Sequence, residues 1–524
     1  MANTISYKIV GGDYEQGGSA SRQLKAQLKK VGADPAVVRR AMIAAYEAEM
    51  NVVIHSIGGE LRYRLDNGQL DVEVIDEGPG IADIEQALKP GFSTANSAAR
   101  TLGFGAGMGL PNIKKHSDAF SIESAPGKST TVRFTIHLKS PKLYGESRHS
   151  LQIVPQKCIT CYQCLPACPT QAVRVFRGIP HVLEYVCVDC AACVSACPTG
   201  ALAVAGSTVE FEPSAHVTLI VTPAVLAQFG SGVSPARALE ELEAIGFSNV
   251  VVTSAWETAL RRATLDQAKK SDQLLPVISP VCSAVVNLVE TKFPSLIPYL
   301  APYVSPIEAA CADLHGRPAV AVTSCACQRT AVLCGEFEPK PGVLMPSEII
   351  AALKPRLEKD PDSAEEPHLA GYETRCEDGE ILCVSGIHRV MDLLERIEDG
   401  LVEDVKVVEA YACEEAGFGS PLLSESPALA KHRWEAGVLP GKAGARAVPR
   451  SKPYEARPGL RLDDDMVKAI QMLRRIDTLK RELPGHDCGQ CGAPTCGALA
   501  EDIVLGRAMP NACTRRPDET KEKS

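Results

Sequence analysis

Twenty cysteines carry most of the chemistry open to this 524-residue sequence, and their placement is uneven. None lies in the first 157 residues. Eight fall between 158 and 197, four between 488 and 513, and eight are scattered between 282 and 413. Met1 to Val10 shows no basic segment leading into an apolar one, and no apolar run approaches the roughly 18 residues of a spanning helix. A cytoplasmic chain is expected. In a reducing compartment such a density of thiols means metal or redox chemistry rather than disulfides. The net charge of −9 argues against nucleic acid as a partner.

Cys158, Cys161, Cys164 and Cys168-Pro169 form C-x2-C-x2-C-x3-C-P, and Cys187, Cys190, Cys193 and Cys197-Pro198 repeat it. This is the spacing of bacterial two-cluster ferredoxins, in which the fourth cysteine of each run ligates the other cluster. One 4Fe–4S cluster is expected on Cys158, Cys161, Cys164 and Cys197. The second is expected on Cys187, Cys190, Cys193 and Cys168. Zinc rarely takes four closely spaced cysteines twice over.

Glu47, Asn51 and His55 share one helix face. After them come Asp76-Glu77-Gly78-Pro79-Gly80, then Gly91-Phe92-Ser93-Thr94, then the glycines 103, 105, 107 and 109 leading to Leu110-Pro111. In this order, over residues 5–138, the segments resemble the GHKL ATPases, with the anti-sigma-factor serine kinases the nearest likeness. The resemblance implies ATP or ADP with Mg²⁺. Asp76 would accept from the adenine amino group, and Gly78 and Gly80 would let the base approach. Asn51 would hold Mg²⁺, and Gly103, Gly105, Gly107, Gly109 and Leu110 would cradle the phosphates at a helix start. Thr130 would lie near the adenine, although Ser129 stands where the family usually has glycine. Glu47 matches the family's general base. His55 is read as a packed helix residue.

Residues 214–435, beginning near Val221-Thr222-Pro223, resemble the catalytic domain of FeFe-hydrogenases. Ser279-Pro280-Val281-Cys282-Ser283 is similar to that family's Thr-Ser-Cys-Cys-Pro. Thr323-Ser324-Cys325-Ala326-Cys327-Gln328 is similar to its Met-Pro-Cys-x-x-Lys. Glu409-x3-Cys413-x3-Gly417 is similar to its Glu-x3-Cys-x3-Cys. Three departures matter more than the matches. Val281 replaces the proton-relay cysteine, Gln328 the lysine beside the diiron unit, and Gly417 the bridging cysteine. The resemblance therefore implies a domain unable to turn over hydrogen. Cys282, Cys325 and Cys413 could still hold a cluster with a fourth ligand, for which Cys327 is the candidate and Cys311 the reserve. The alternative is that all are buried structural thiols. Cys334, Cys376 and Cys383 are assigned to that class.

Cys488, Cys491, Cys496 and Cys513 form C-x2-C-x4-C-x16-C among glycines. The pattern resembles the small 4Fe–4S domain of B-type subunits of ion-pumping electron-transport complexes and of corrinoid iron–sulfur proteins. It implies a third cluster, peripheral and linker-borne, free to dock to a partner or swing.

The elements that must position these residues alternate between helical and strand periods, so the fold class is multidomain α/β. The expected order is a GHKL α/β sandwich over 1–140 and a ferredoxin module over 141–212. A hydrogenase-like α/β domain follows over 213–436, then a linker over 437–464 and a helix with the small iron–sulfur domain over 465–524. Pro35–His55 and Asp465–Leu483 read as helices. Leu70–Asp76, Val217–Val221, Val250–Val252, Ala319–Val322 and Val405–Val408 read as strands.

The function expected is a non-catalytic electron-transfer subunit of an anaerobic hydrogenase-like complex coupled to NAD(P)H, with electron bifurcation as one form of that coupling. Flavin- or NADH-binding and catalytic hydrogenase-type chains are its expected partners, and nucleotide at the N-terminal domain gates docking or conformation. The alternative is a redox-sensing serine kinase or anti-sigma-type regulator acting on an anti-anti-sigma-like protein.

Overall fold

The computed structural model describes residues 4–31, 33, 35–66, 69–94, 107–138, 149–176, 178–230, 232–247, 249–270, 273–314, 316–357, 380–436, 444–457, 462–463 and 465–515. They fall into two compact units. The first comprises residues 1–143, 458–486 and 496–524; the second comprises 144–457 and 487–495.

In the first unit, strands β1 (Ile5–Val10), β2 (Gly58–Asp66), β3 (Gln69–Asp76), β4 (Ala119–Glu123) and β5 (Thr131–His137) form an antiparallel sheet of order β1-β2-β3-β5-β4. Strand alternation sorts its faces. Leu70, Val72 and Val74 of β3 and Val132, Phe134 and Ile136 of β5 are buried. The other face carries cross-strand charge pairs: Arg133 reaches Glu73 at 2.8 Å and Glu123 at 2.7 Å, and Arg64 reaches Asp71 at 3.0 Å. Helices α1 (Ser19–Lys30), α2 (Pro35–His55) and α3 (Gly109–His116) complete the sandwich. Small residues of α2 (Ala41, Ala44, Ala45 and Ala48) are all buried and allow close packing.

Two later helices, Met466–Glu482 and Cys496–Val504, belong to this same unit. Asp465 caps the former, its carboxylate accepting from the Val467 amide at 2.8 Å. That helix buries Ala469, Ile470, Leu473 and Ile476, and Arg474 donates to the Leu65 carbonyl of β2 at 2.7 Å. The helix packs chiefly against Cys496–Val504 and more lightly against α1 and β2.

In the second unit, β6 (Leu151–Ile153) pairs with β9 (Leu202–Val204), and β7 (Val173–Phe176) with β8 (Ile179–Val182), all antiparallel. The larger part holds two parallel sheets. One has the order β11 (Asn249–Val252), β10 (Thr218–Val221), β13 (Ala319–Val322), β14 (Gly342–Leu344). The other has the order β12 (Val277–Ile278), β16 (Val407–Tyr411), β15 (Ile381–Ser385). All four residues of β10 are buried, as a strand covered on both faces requires. The last strand lies at Val407–Tyr411 rather than Val405–Val408, because its register is set by pairing Val407 to Tyr411 with Ile381 to Ser385.

The stretch expected as a linker is partly built into this unit. Val304 donates to the Val448 carbonyl at 3.0 Å, Arg450 to the Pro302 carbonyl at 3.1 Å, and the Tyr454 hydroxyl to the Tyr303 carbonyl at 2.6 Å. Arg457 clamps Glu290 at 2.8 Å. Residues 444–457 are therefore a docked strap, which its Pro, Gly and Arg composition did not disclose.

Candidate metal centres and nucleotide site

The two halves of the cysteine repeat fold alike, residue for residue. Thr160 and Asp189 occupy matching positions with left-handed φ of 53° and 58°; Tyr162 and Ala191 follow with 61° and 57°. Gln171 and Gly200 close the halves with 54° and 68°. Left-handed residues between cysteines wind the backbone so that amides turn toward the sulfurs. The Ala172 amide donates to the Cys168 sulfur at 3.1 Å and the Asp189 amide to that of Cys187 at 3.4 Å. Thr170 and Thr199 stand 3.8 Å from Cys168 and Cys197, one in each half.

The thiols gather in two crossed sets. Burial pushes Cys164 up to about 11, with Cys161, Cys197 and Cys158 adding to the rise. Burial likewise pushes Cys190 up to about 12, with Cys168 contributing. Cys187 is raised by burial, then by Asp189, Cys190 and Cys168, and Cys193 by burial, then by Cys168 and Cys190. Such thiols stay neutral until a cation takes them, which suits the residues to iron–sulfur clusters. Among the described residues no three His, Cys, Asp or Glu are grouped to hold a single metal ion; a cubane asks for one thiolate on each of several irons.

The third constellation lies where two parallel sheets end. Cys282 follows β12 and caps helix α4 (Ser283–Lys292), Cys413 follows β16, and Cys325 follows β13 and caps helix α5 (Ala326–Cys334). Cys325 and Cys327 sulfurs are 3.3 Å apart, and the Cys282 thiol is raised by Cys327 beside it and by burial. Cys413 is raised by burial, then by Cys282 and Cys190, so this set adjoins the second ferredoxin set. Cys311 is buried with Glu308 as its charged neighbour, Cys334 and Cys383 are exposed, and Cys376 lies outside the described residues. Gln328, expected at the family's lysine position, is turned back: its side-chain carbonyl accepts from the Ser324 amide at 3.0 Å and hydroxyl at 2.9 Å. Gly417, expected at the bridging-cysteine position, has φ 96° and follows Glu415 and Ala416 at 50° and 54°.

Cys488 and Cys491 belong to the second unit, Cys496 and Cys513 to the first. The Cys488–Gly492 loop does not hang free. Val175 of β7 donates to the Gly492 carbonyl at 2.8 Å, and Leu165 lies against Gly489.

At the nucleotide site, the Asp76 carboxylate accepts from the Gly78 amide at 2.8 Å and the Thr130 amide at 3.1 Å. Thr130 is buried, and its hydroxyl lies 2.8 Å from that of Ser124, which accepts from the Ile81 amide. Gly80 has φ 75°, and a Cβ there would stand 2.0 Å from the Ala125 carbonyl. Gly109 opens α3 against Asn51 and Glu47: a Cβ would stand 2.8 Å from Asn51 Oδ1 and 3.4 Å from Glu47 Oε2. Asn112, one turn on and not foreseen from the sequence, donates to Glu47 at 2.7 Å. Asn51 Nδ2 is buried with no hydrogen-bond partner, an orphan that a bound ligand would satisfy. Leu110 follows Gly109 in α3, Gly107 has φ 72°, and Gly103 and Gly105 lie outside the described residues. Orphan, glycine cradle and fixed carboxylate together fit a nucleotide. His55 is held below its ordinary range by burial, which the Asp76 carboxylate only partly offsets.

Among the described residues no helix is long and apolar enough to cross a membrane. Four family models match the chain. They are the histidine kinase-, DNA gyrase B- and HSP90-like ATPase over 37–140, and the 4Fe-4S dicluster domain over 157–201. The others are the C-terminal domain of the iron only hydrogenase large chain over 215–333 and an Fe-S cluster family over 483–515. An anti-sigma F factor of Thermoanaerobacter sp. (strain X514) is 36% identical over 116 residues, 21% of this chain and 78% of that protein. The serine/threonine-protein kinase RsbT of Bacillus subtilis (strain 168) is 31% identical over 119 residues, 22% of this chain and 84% of that one. A solved FeFe-hydrogenase from Chlamydomonas reinhardtii aligns over 52% of this chain and 92% of its own at 17% identity and a TM-score of 0.33. The chain is a multidomain iron–sulfur protein that belongs, through its N-terminal domain, to the histidine kinase-, DNA gyrase B- and HSP90-like ATPases.

Proposed function

We propose that this chain is a non-catalytic electron-transfer subunit of a hydrogenase-like, NAD(P)H-coupled complex, with nucleotide at its N-terminal domain governing docking or conformation. One observation carries the reading: intact cysteine sets lie beside a hydrogenase-like motif whose three working positions hold Val281, Gln328 and Gly417. When bound, 4Fe–4S clusters supply single-electron transfer. Cys158, Cys161, Cys164 and Cys197 would hold one, Cys187, Cys190, Cys193 and Cys168 a second, and Cys488, Cys491, Cys496 and Cys513 a third. Within the second unit, contacts run in series. The Cys488–Cys491 loop touches Leu165 beside Cys164, Cys193 neighbours both Cys168 and Cys164, and Cys190 neighbours Cys413.

At the other site Mg-ATP or Mg-ADP, when bound, would supply binding energy for a conformational change. Asp76 would hold the base, Asn51 the metal, and Gly107 and Gly109 the phosphates at the helix start. The test is anaerobic co-purification and assay. A flavin- or NADH-binding chain should co-purify, and the reconstituted chain alone should neither take up nor evolve hydrogen. Hydrogen turnover by the chain alone would sink the non-catalytic reading.

A second reading is favoured by the likeness to RsbT and by the Asn112 bond that poises Glu47. Here the chain is a redox-sensing serine kinase. Redox-dependent transfer of labelled phosphate from ATP to an anti-anti-sigma-like protein would establish it in place of the first.

A further inference from the structure

The hydrogenase-like domain lacks its bridging thiolate, yet its remaining cysteines are not dispersed into a packed core. Cys282, Cys325 and Cys413 arrive from three loops at the C-terminal ends of β12, β13 and β16. β12 and β16 are adjacent parallel strands, so the loops carrying Cys282 and Cys413 leave the same sheet edge, and Cys325 joins them from the other sheet. A fourth thiol meets them. Cys327, in the first turn of α5, is 4% exposed. It lies 3.3 Å from the Cys325 sulfur, and Cys282 is its other thiol neighbour.

We propose that Cys327 supplies the fourth thiolate to an iron–sulfur cluster held by Cys282, Cys325 and Cys413, in place of the cysteine missing at Gly417. The chain's own ligand would thereby close the iron that the family's bridging thiolate leaves available to a second metal unit. The site becomes an electron terminus next to the Cys190 set rather than a catalytic centre.

A second observation points to the same ligand. Three hydroxyls around these cysteines, those of Ser279, Ser283 and Thr323, are buried without a hydrogen-bond partner. Ser283 follows Cys282 directly, and Thr323 precedes Cys325 by two residues. A buried hydroxyl left unpaired costs about 1–3 kcal/mol, a cost that an acceptor at this site would remove. Cluster sulfides are acceptors and would pair such donors. The Gly417 position offers no rival: its φ of 96° disfavours any L side chain. Loading a preformed 4Fe–4S cluster exchanges four S–H bonds for Fe–S bonds and releases four protons, with no oxidant or reductant consumed.

The test uses the full chain, reconstituted anaerobically with iron and sulfide, and reads iron, sulfide, zinc and the EPR spectrum of the reduced protein. Four clusters give about sixteen irons per chain. Cys327→Ala should lose about four of them, together with one EPR signal, and match Cys282→Ala; Cys311→Ala, a buried thiol outside the set, should lose none. The proposal is overturned if Cys327→Ala keeps the wild-type iron and spectrum; conversion of one cluster to an oxidised three-iron form supports it, because the iron that loses its thiolate is the one shed. Should Cys327→Ala fail to fold, the wild type decides: about twelve irons, with or without zinc, overturns the proposal. Retained ferredoxin signals separate this failure from failure of the electron-transfer reading itself.

Discussion

Val175 donates its amide proton to the Gly492 carbonyl at 2.8 Å, and a Cβ on Gly492 would stand 1.8 Å from the Val175 carbonyl. Only glycine fits, both for the approach and for the φ of 86°. The terminal cysteine loop is thus an added rung on β7 of the ferredoxin module.

Gly492→Ala should push this loop off β7 and disturb the terminal set. About four irons per chain should be lost on anaerobic gel filtration, with the ferredoxin signals intact. Full iron retention would mean that the docking does not hold the site together.

Asp76→Ala should weaken ATP binding in calorimetry by roughly ten- to a hundred-fold, the loss of one charge-assisted hydrogen bond. Asn51→Ala should weaken binding more strongly when Mg²⁺ is present than when it is absent. Equal losses with and without Mg²⁺ would remove Asn51 from the metal role.

His55 sets a pH dependence. Burial lowers its folded-state pKa, so as pH falls through the ordinary histidine value of about 6.5 the unfolded chain takes up a proton before the folded one does. Stability of the nucleotide domain should therefore fall as pH drops below about 6.5, until the folded imidazole protonates too. His55→Gln should flatten that slope in thermal unfolding; an unchanged slope assigns it to other groups.

Gly417→Cys restores a thiol but not an activity. The residue would be forced to φ 96°, at a cost of about 1–3 kcal/mol, and Val281 and Gln328 would still lack the proton relay and the lysine. Hydrogen evolution should stay at background while the midpoint of denaturation falls.

Asp465→Ala should cost about 1 kcal/mol, the worth of a cap whose carboxylate accepts two helix amides. Chemical denaturation followed through the first unit measures it.

Much of this was legible in the residues. The 29-residue cysteine repeat was legible as two halves, and the two halves do place left-handed residues at matching positions. The period of α2 placed Glu47 and Asn51 on one face, and alternation gave β3 ending at Asp76.

Tertiary structure alone decided the rest, because it depends on contacts between segments far apart in the chain. Nothing local to Asn112 marks it as the partner of Glu47; that follows from α3 crossing α2. Composition made 444–457 look like a linker, whereas its backbone donors and acceptors find partners at Pro302 and Val304. The terminal helix needed only an apolar stripe to be foreseen, but that it would pack against Cys496–Val504 and touch α1 and β2 was set by the tertiary fold. And Cys327, one more thiol in the sequence, becomes a candidate ligand only because the loops after β12, β13 and β16 converge.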